Sequence, residues 1–299
     1  MSDAVQPSRT GRVPFEGHDL HWEYFGDGER EVVSLFNGLA MHTPAWYGFL
    51  PRLQPGYDVL LWDYPGQGQS SAHDVPYFID RIAAGLEAIL DAAAIDRIHA
   101  MGVSWGGFVA AEFARQFQHR LHTLTLSGIL LTRERLFDLY QDLSLRFYRG
   151  GPEQFELYTR YMYEKIFGEA FARSAWEKLE TMRSNFCDRY RGRIHALIRL
   201  TEAQNPFFAS LDELRAGYAA IDTPTLVVAG AEDRVILPSV QKKILDVIPN
   251  ARWEEIEGAG HVVYLEQPDR FFPLLREFMS GKGSARSAPE SGSLGTGTS

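Results

Sequence analysis

Short runs of apolar residues, each the length of a strand, alternate along the chain with stretches whose apolar residues recur at helical spacing. The runs are Glu31–Phe36, Tyr57–Asp63, Ile98–Val103, Leu121–Ser127, Thr225–Gly230 and Arg252–Ile256. Most are apolar at successive positions, the pattern of strands covered on both faces and hence of a parallel sheet between helices. Between the second and third runs, Asp80–Ala94 carries Ile82, Ala83, Leu86, Ile89, Leu90 and Ala93 on one stripe, as a crossover helix requires. Ahead of the first, Arg12–Phe15 and Leu20–Tyr24 flank Gly17–His18 and predict an antiparallel hairpin. The expected class is α/β, a mostly parallel sheet with an antiparallel leading hairpin.

The alternation stops between Leu131 and Ala219. Arg133–Arg215 holds 14 basic and 13 acidic residues and no strand pattern, with Phe155, Tyr158, Met162 and Ile166 at helical intervals. This predicts a helical insertion between two strands, where a lid can sit over the carboxyl ends of the sheet. Residues 132–215 are assigned to that lid, 1–131 and 216–280 to the core, and the small, polar stretch 281–299 to a disordered tail.

Composition narrows the functional classes. The chain has 299 residues, 45% of them hydrophobic, and a net charge of −9. That is material for a sizeable core, with no overall basic surface for nucleic acid. Cys187 is the single cysteine, so no intramolecular disulfide forms and nothing points to an oxidising compartment. Met1–Thr10 lacks an apolar signal core. The longest uncharged stretch, Val32–Pro51, is interrupted by Asn37, Gly38, His42, Thr43 and two prolines, which argues against a membrane span. The expected location is the cytoplasm. No Cys/His cluster has metal-ligand spacing and no glycine-rich phosphate loop opens a helix, so neither metal nor cofactor is expected.

The chemistry concentrates at the strand ends. Gly102-Val103-Ser104-Trp105-Gly106 follows the run Ile98–Val103 and opens a helical segment, Gly106–Phe117. In that strand–turn–helix setting, G-x-S-x-G is a nucleophile elbow: the turn has no room for side chains at either glycine and lifts the serine hydroxyl above the sheet. A hydroxyl needs a base within hydrogen-bond reach and an acid to orient that base. Asp233, with Glu232 beside it as rival, closes the run Thr225–Gly230, and His261 closes Arg252–Ile256. The other eight histidines lie in hairpin, lid, helix or strand contexts without this convergence. Ser104, Asp233 and His261 are therefore the expected catalytic residues. The oxyanion formed on attack needs two donors; the expected ones are the N–H of Trp105 and the N–H of Leu39, in the loop after Phe36. Asn37, Gly38 and Met41 of that loop are expected substrate contacts.

These residues, with Asp63-Tyr64-Pro65-Gly66-Gln67-Gly68-Gln69-Ser70, make the chain resemble α/β-hydrolase-fold serine enzymes, many of which carry a D-x-x-G-x-G-x-S loop. The resemblance spans Arg12 to Met279 apart from the lid. It departs at the oxyanion loop, where most relatives have His-Gly and this chain has Asn37-Gly38. Ser-Trp-Gly at the elbow is also similar to prolyl iminopeptidases, which usually keep His-Gly-Gly-Pro-Gly in the oxyanion loop. Asn37 to Met41, Gly68 to Ser70 and Ser104 to Gly107 resemble the 3-hydroxyacyl transferases that make the lipid precursor of rhamnolipids. The resemblance implies hydrolysis of an ester or thioester with an apolar acyl group. Its alternatives are transfer of 3-hydroxyacyl units from a thioester carrier, and a non-catalytic relative that binds a small ligand.

The lid is rich in aromatic residues, among them Phe137, Tyr140, Phe147, Tyr148, Phe155, Tyr158, Tyr163, Phe186, Phe207 and Phe208. Most are expected to pack the helices and a few to line a pocket for an acyl chain. Arg189, Arg191, Arg193 and Arg199 either meet the phosphates of coenzyme A or an acidic acyl carrier protein, or form a solvated helix face.

Overall fold

The computed structural model describes residues 5–54 and 56–281. Apart from Gly281, the tail expected at 281–299 lies outside the described residues, as do residues 1–4 of the segment Met1–Thr10. The strands are β1 Arg9–Phe15, β2 His18–Phe25, β3 Val32–Phe36, β4 Asp58–Trp62, β5 Ile98–Val103, β6 Leu121–Ser127, β7 Thr225–Gly230 and β8 Ala251–Ile256. They form one sheet in the order β1-β2-β4-β3-β5-β6-β7-β8. β1 and β2 run antiparallel, β2 meets β4 antiparallel, and all later pairs are parallel. The leading hairpin turns at Glu16–Gly17 rather than Gly17–His18. Phe15 faces His18, and φ is +48° and +81° at the two turn residues, both left-handed as a tight hairpin turn requires.

Both faces of the sheet are covered, so side chains alternating along a strand are buried either way. Leu60 and Trp62 of β4 join the core under helices α1 (Ile79–Ala93) and α2 (Trp105–Phe117). Val59 and Leu61 face the opposite side. There the cover is a 3-10 segment, Thr43–Arg52, and a C-terminal helix, both outside the periodic pattern read from the sequence. The predicted stripe of α1 is buried as expected, and the helix stops at Ala94, which is left-handed at φ +55°.

Between β6 and β7 come six helices: α3 Arg135–Arg149, α4 Pro152–Ile166, α5 Glu169–Ser174, α6 Trp176–Tyr190, α7 Ile194–Glu202 and α8 Gln204–Ala219. Tyr148, Phe155, Tyr158, Phe186, Cys187, Tyr190 and Leu197 form an apolar cluster together with Ala40 of the loop after β3. Helix α8 runs past residue 215, and its Phe207, Phe208, Leu211 and Tyr218 pack in the core with α2. The sequence boundary at 215 thus cuts a helix whose length is set by packing on the sheet domain. After β7 the described residues hold three further α-helices, α9 Pro238–Gln241, α10 Val263–Glu266 and α11 Pro268–Met279. No helix among the described residues is long and apolar enough to cross a membrane.

Candidate active site

Ser104 sits between β5 and α2 with φ +50° and ψ −126°, a conformation that costs a non-glycine residue on the order of 1–3 kcal/mol. The surrounding contacts hold it there. Its N–H donates to the Ser127 carbonyl at 2.8 Å and its carbonyl accepts from the Gly107 N–H at 2.8 Å. A Cβ at Gly102 would stand 2.7 Å from the Gly107 Cα, and one at Gly106 would stand 2.4 Å from the Asn37 carbonyl oxygen. The elbow glycines are required by close backbone approach.

Three strand ends bring the expected residues together. The Ser104 hydroxyl donates to His261 Nε2 at 2.9 Å, and His261 Nδ1–H donates to Asp233 Oδ2 at 2.8 Å. Asp233 is 2% exposed. Its Oδ1 accepts from the Val235 and Ile236 N–H groups at 2.8 and 3.0 Å. Its Oδ2 also accepts from Gln241 Nε2 at 2.8 Å. Gln241, fully buried, accepts in turn from the Gly128 N–H at 3.0 Å. Gly128 lies under the imidazole, where a Cβ would come within 2.9 Å of His261 Cε1. Sequence reasoning missed Gln241; a glutamine on a short helix after the acid carries no periodic or motif signal. The rival Glu232 points elsewhere and accepts from the Glu169 N–H at 2.8 Å.

The loop after β3 carries one expected oxyanion donor, Leu39, and the start of α2 carries the other, Trp105. The N–H groups of Leu39 and Trp105 have no hydrogen-bond partner among the described residues. Gly38 lies against Ser104, with an added Cβ 3.7 Å from the Ser104 Cβ. Met41 folds back so that its Sδ accepts from the Gly38 N–H at 3.2 Å. Gly38 and Met41 line the cavity beside Ser104 and Asn37 does not, which corrects the expectation that Asn37 touches substrate. Asn37 is fully buried. Its Nδ2 donates to the Trp62 carbonyl at 2.8 Å and its Oδ1 accepts from Trp46 Nε1 at 2.7 Å. It braces the loop from below, a role a buried side amide fills because it donates and accepts at once. The D-x-x-G-x-G-x-S loop is a second brace: Asp63 Oδ1 accepts from the Thr43 N–H at 2.9 Å and Gln67 Nε2 donates to the Gly38 carbonyl at 3.1 Å. Burial holds the Asp63 carboxyl above its ordinary range, against the pull of the Gln69 and Thr43 N–H groups.

The cavity above Ser104 has a volume of about 650 Å³ and is roofed by the helical insertion. Of the aromatic residues there, Phe137, Tyr140, Tyr148, Tyr163, Phe167 and Phe186 line it. Phe207 and Phe208 instead pack on Phe108 of α2. Of the four arginines grouped in the sequence, only Arg189 lines the cavity. Arg191 pairs with Asp188, Arg199 with Asp74 and Glu202, and Arg193 donates to the Gly68 carbonyl. Of the two readings of these arginines, a phosphate-binding cluster and a solvated helix face, the partners favour the second for Arg191, Arg193 and Arg199, and only Arg189 reaches the cavity. Among the described residues, no group of three or more His, Cys, Asp or Glu is placed to hold a metal ion.

The segment between α4 and α5 is tied to both the acid and the histidine loops. The His261 N–H donates to the Ile166 carbonyl at 2.7 Å. Arg234, next to Asp233, donates to the Glu164 and Phe167 carbonyls at 2.6 and 2.7 Å. Glu266 Oε2 accepts from the Gly168 and Gly260 N–H groups at 2.7 and 2.9 Å, and Oε1 from the Val262 N–H at 3.1 Å. Desolvation raises the Glu266 pKa despite these donors. Glu266→Gln turns one of its acceptor oxygens into a donor facing an N–H. A single lost bond of this kind costs roughly 1–3 kcal/mol, so a Tm loss of roughly 2–8 °C is expected. A several-fold fall in kcat should accompany it, because the loop that carries His261 loosens. Unchanged kcat in steady-state assays would show that Glu266 does not position the histidine.

Comparison with known proteins bears on the fold and the class of enzyme. A family model described as alpha/beta hydrolase fold matches residues 31–268. The chain is 28% identical to the pimeloyl-[acyl-carrier protein] methyl ester esterase of Aeromonas hydrophila subsp. hydrophila, over 86% of this chain and 98% of that one. It is 26% identical to the poly(3-hydroxyalkanoate) depolymerase of Ectopseudomonas oleovorans, over 82% of this chain and 83% of that one. In fold it is similar to MGS-M2, an alpha/beta hydrolase enzyme from a Medee basin deep-sea metagenome library. The TM-score is 0.82 and the identity 22%, covering 94% of this chain and 100% of the other. With the family match spanning most of its length, the chain belongs to the alpha/beta hydrolase fold family and is an enzyme of the serine-hydrolase type.

Proposed function

We propose that the protein cleaves a carboxylic ester or thioester with an apolar acyl group, through an acyl-enzyme on Ser104. The observation that carries this reading is the relay from Ser104 to His261 at 2.9 Å and from His261 to Asp233 at 2.8 Å, beside a largely apolar cavity of about 650 Å³. As Ser104 Oγ attacks the carbonyl, His261 Nε2 takes its proton, and Asp233 holds the imidazole in the tautomer that leaves Nε2 free to accept. The Leu39 and Trp105 N–H groups receive the developing oxyanion. His261 then returns the proton to the leaving alcohol or thiol, and water, activated by the same imidazole, releases the acid. The helices α3 to α7 act as the lid that keeps the acyl chain dry.

The relatives named as an esterase and a depolymerase support hydrolysis over transfer, and the first supports testing acyl groups presented on a carrier protein. Incubation of the pure protein with p-nitrophenyl esters and acyl thioesters of graded length, with products identified by mass, is expected to give free acid. A linear ester dimer from 3-hydroxyacyl thioesters would replace hydrolysis by transfer. Binding without turnover across the panel would leave a ligand-binding relative.

A further inference from the structure

The cavity beside Ser104 is electrostatically lopsided. In a chain of net charge −9, its lining includes Lys178 and Arg189 and no aspartate or glutamate. Neighbouring cations of the insertion are neutralised: Arg183 pairs with Glu156 and Glu180, Arg191 with Asp188, and Arg199 with Asp74 and Glu202. Half-buried Arg189 pairs with no carboxylate among the described residues. Its hydrogen bond goes to the Ala40 carbonyl at 3.4 Å, a long contact that leaves most of its five N–H donors unused.

Two more polar groups lining the same cavity lack partners. Gln141 is 4% exposed, and its Nε2 is buried without a hydrogen bond. His42 Nδ1 is likewise buried and unpartnered. Burial, and then the nearby Arg189 charge, push the His42 pKa down to about 4, so the imidazole is neutral at pH 7. Arg189, Gln141 and His42 all line the cavity. A buried amide donor without an acceptor is costly unless a ligand supplies one, and a half-buried guanidinium that holds no carboxylate can take one from a ligand. The planar Arg fork matches a carboxylate, while the aromatic walls suit methylenes.

Resting on the reading of Ser104 as nucleophile, we infer that the ester or thioester taken by this cavity carries a second, unreacted carboxylate beyond an apolar spacer. Arg189 is the residue that reads it, with the Gln141 amide as a second donor. A single unpaired guanidinium half-buried in the wall fits a monoanion better than a phosphate dianion, which would call for a cluster of cations. Lys178, an exposed residue of the same lining, adds to the field that draws an anion in.

The test compares methyl half-esters of straight-chain dicarboxylic acids, from adipate to sebacate, with neutral methyl esters of matched length. A second arm uses acetate esters of ω-hydroxycarboxylic acids, which put the charge on the leaving group. In one arm the charged substrate is expected to exceed its neutral match in kcat/KM by on the order of 10- to 100-fold. Arg189→Gln should bring that ratio close to one, mainly through KM, and Arg189→Lys should keep part of it, since charge survives and the fork does not. Gln141→Leu, with Arg189 intact, should lower the ratio several-fold. Calorimetry with the free dicarboxylate should show the same order of weakening. Circular dichroism confirms that each variant is folded. No charge preference in either arm of the wild type overturns the inference. So does an equal fall for charged and neutral esters in Arg189→Gln, which would place its charge at the reacting carbonyl instead. A preference for coenzyme A thioesters that Arg189→Gln removes, without half-ester preference, would assign the site to phosphate. Hydrolysis that persists in Ser104→Ala removes the nucleophile assignment itself, and this inference with it.

Discussion

Replacing Ser104 by alanine is expected to abolish labelling by a fluorophosphonate and to lower kcat by on the order of 10⁵- to 10⁶-fold. The reason is local. The elbow presents Oγ to His261 Nε2 at 2.9 Å, and among the described residues no other hydroxyl or thiol shares that contact. Cys187, the one thiol, is buried in the helical insertion, and burial raises its pKa. The substitution keeps the backbone conformation that Ser127 and Gly107 impose, so thermal melting should move by only a few degrees while activity collapses. Labelling that survives in Ser104→Ala, read by intact-protein mass, would mean that another residue is the nucleophile.

Asp233→Asn should lower kcat by about 10⁴-fold with little change in KM. An asparagine here has two orientations. With its oxygen on the Val235 and Ile236 N–H groups, its NH₂ faces Gln241 Nε2 and His261 Nδ1. The imidazole must then accept at Nδ1, which moves its proton to Nε2 and leaves no base for Ser104. Turning the amide over instead sets the NH₂ against two backbone N–H donors. Gln241 cannot relieve the first arrangement by flipping, because its oxygen already accepts from the Gly128 N–H at 3.0 Å. Both orientations cost a hydrogen bond and the first also disables the base, so the effect is expected on kcat. Glu232→Gln serves as the control, with an effect of a few-fold at most. If that variant shows the larger loss, Glu232 and not Asp233 orients the histidine.

Much of the architecture is legible in the order of residues. Five of the six runs name strands because a parallel sheet covered on both faces needs apolar residues at consecutive positions, a signal independent of register; the sixth, Arg252–Ile256, belongs to the edge strand β8, in which only Ile256 is fully buried. The order Ser104, Asp233, His261 at the ends of three such runs is legible for the same reason: strand ends in a parallel sheet share one edge, so residues distant in sequence arrive at one place. The 3-10 segment Thr43–Arg52 carries no such signal, having two prolines and no α-period. Helix α11 does carry a stripe, Phe271, Phe272, Leu275, Phe278 and Met279 at helical spacing, a signal separate from the strand runs.

The sheet, the elbow and the identity of the three residues that meet there thus follow from local sequence, through periodicity and through glycines that tight turns demand. Which polar groups are satisfied is decided only in the folded chain. Asn37 sits in the oxyanion loop, a place that suggests substrate contact, yet its side chain turns down to Trp46 and Trp62. Gln241 and Glu266 emerge as the braces of Asp233 and His261, and Arg189 alone of four arginines faces the cavity without a carboxylate. Whether a polar side chain is a brace, a surface charge or a ligand contact depends on which acceptors lie within about 3 Å of it. Those neighbours come from segments as far apart as Gly168 and Glu266, a relation no local pattern encodes.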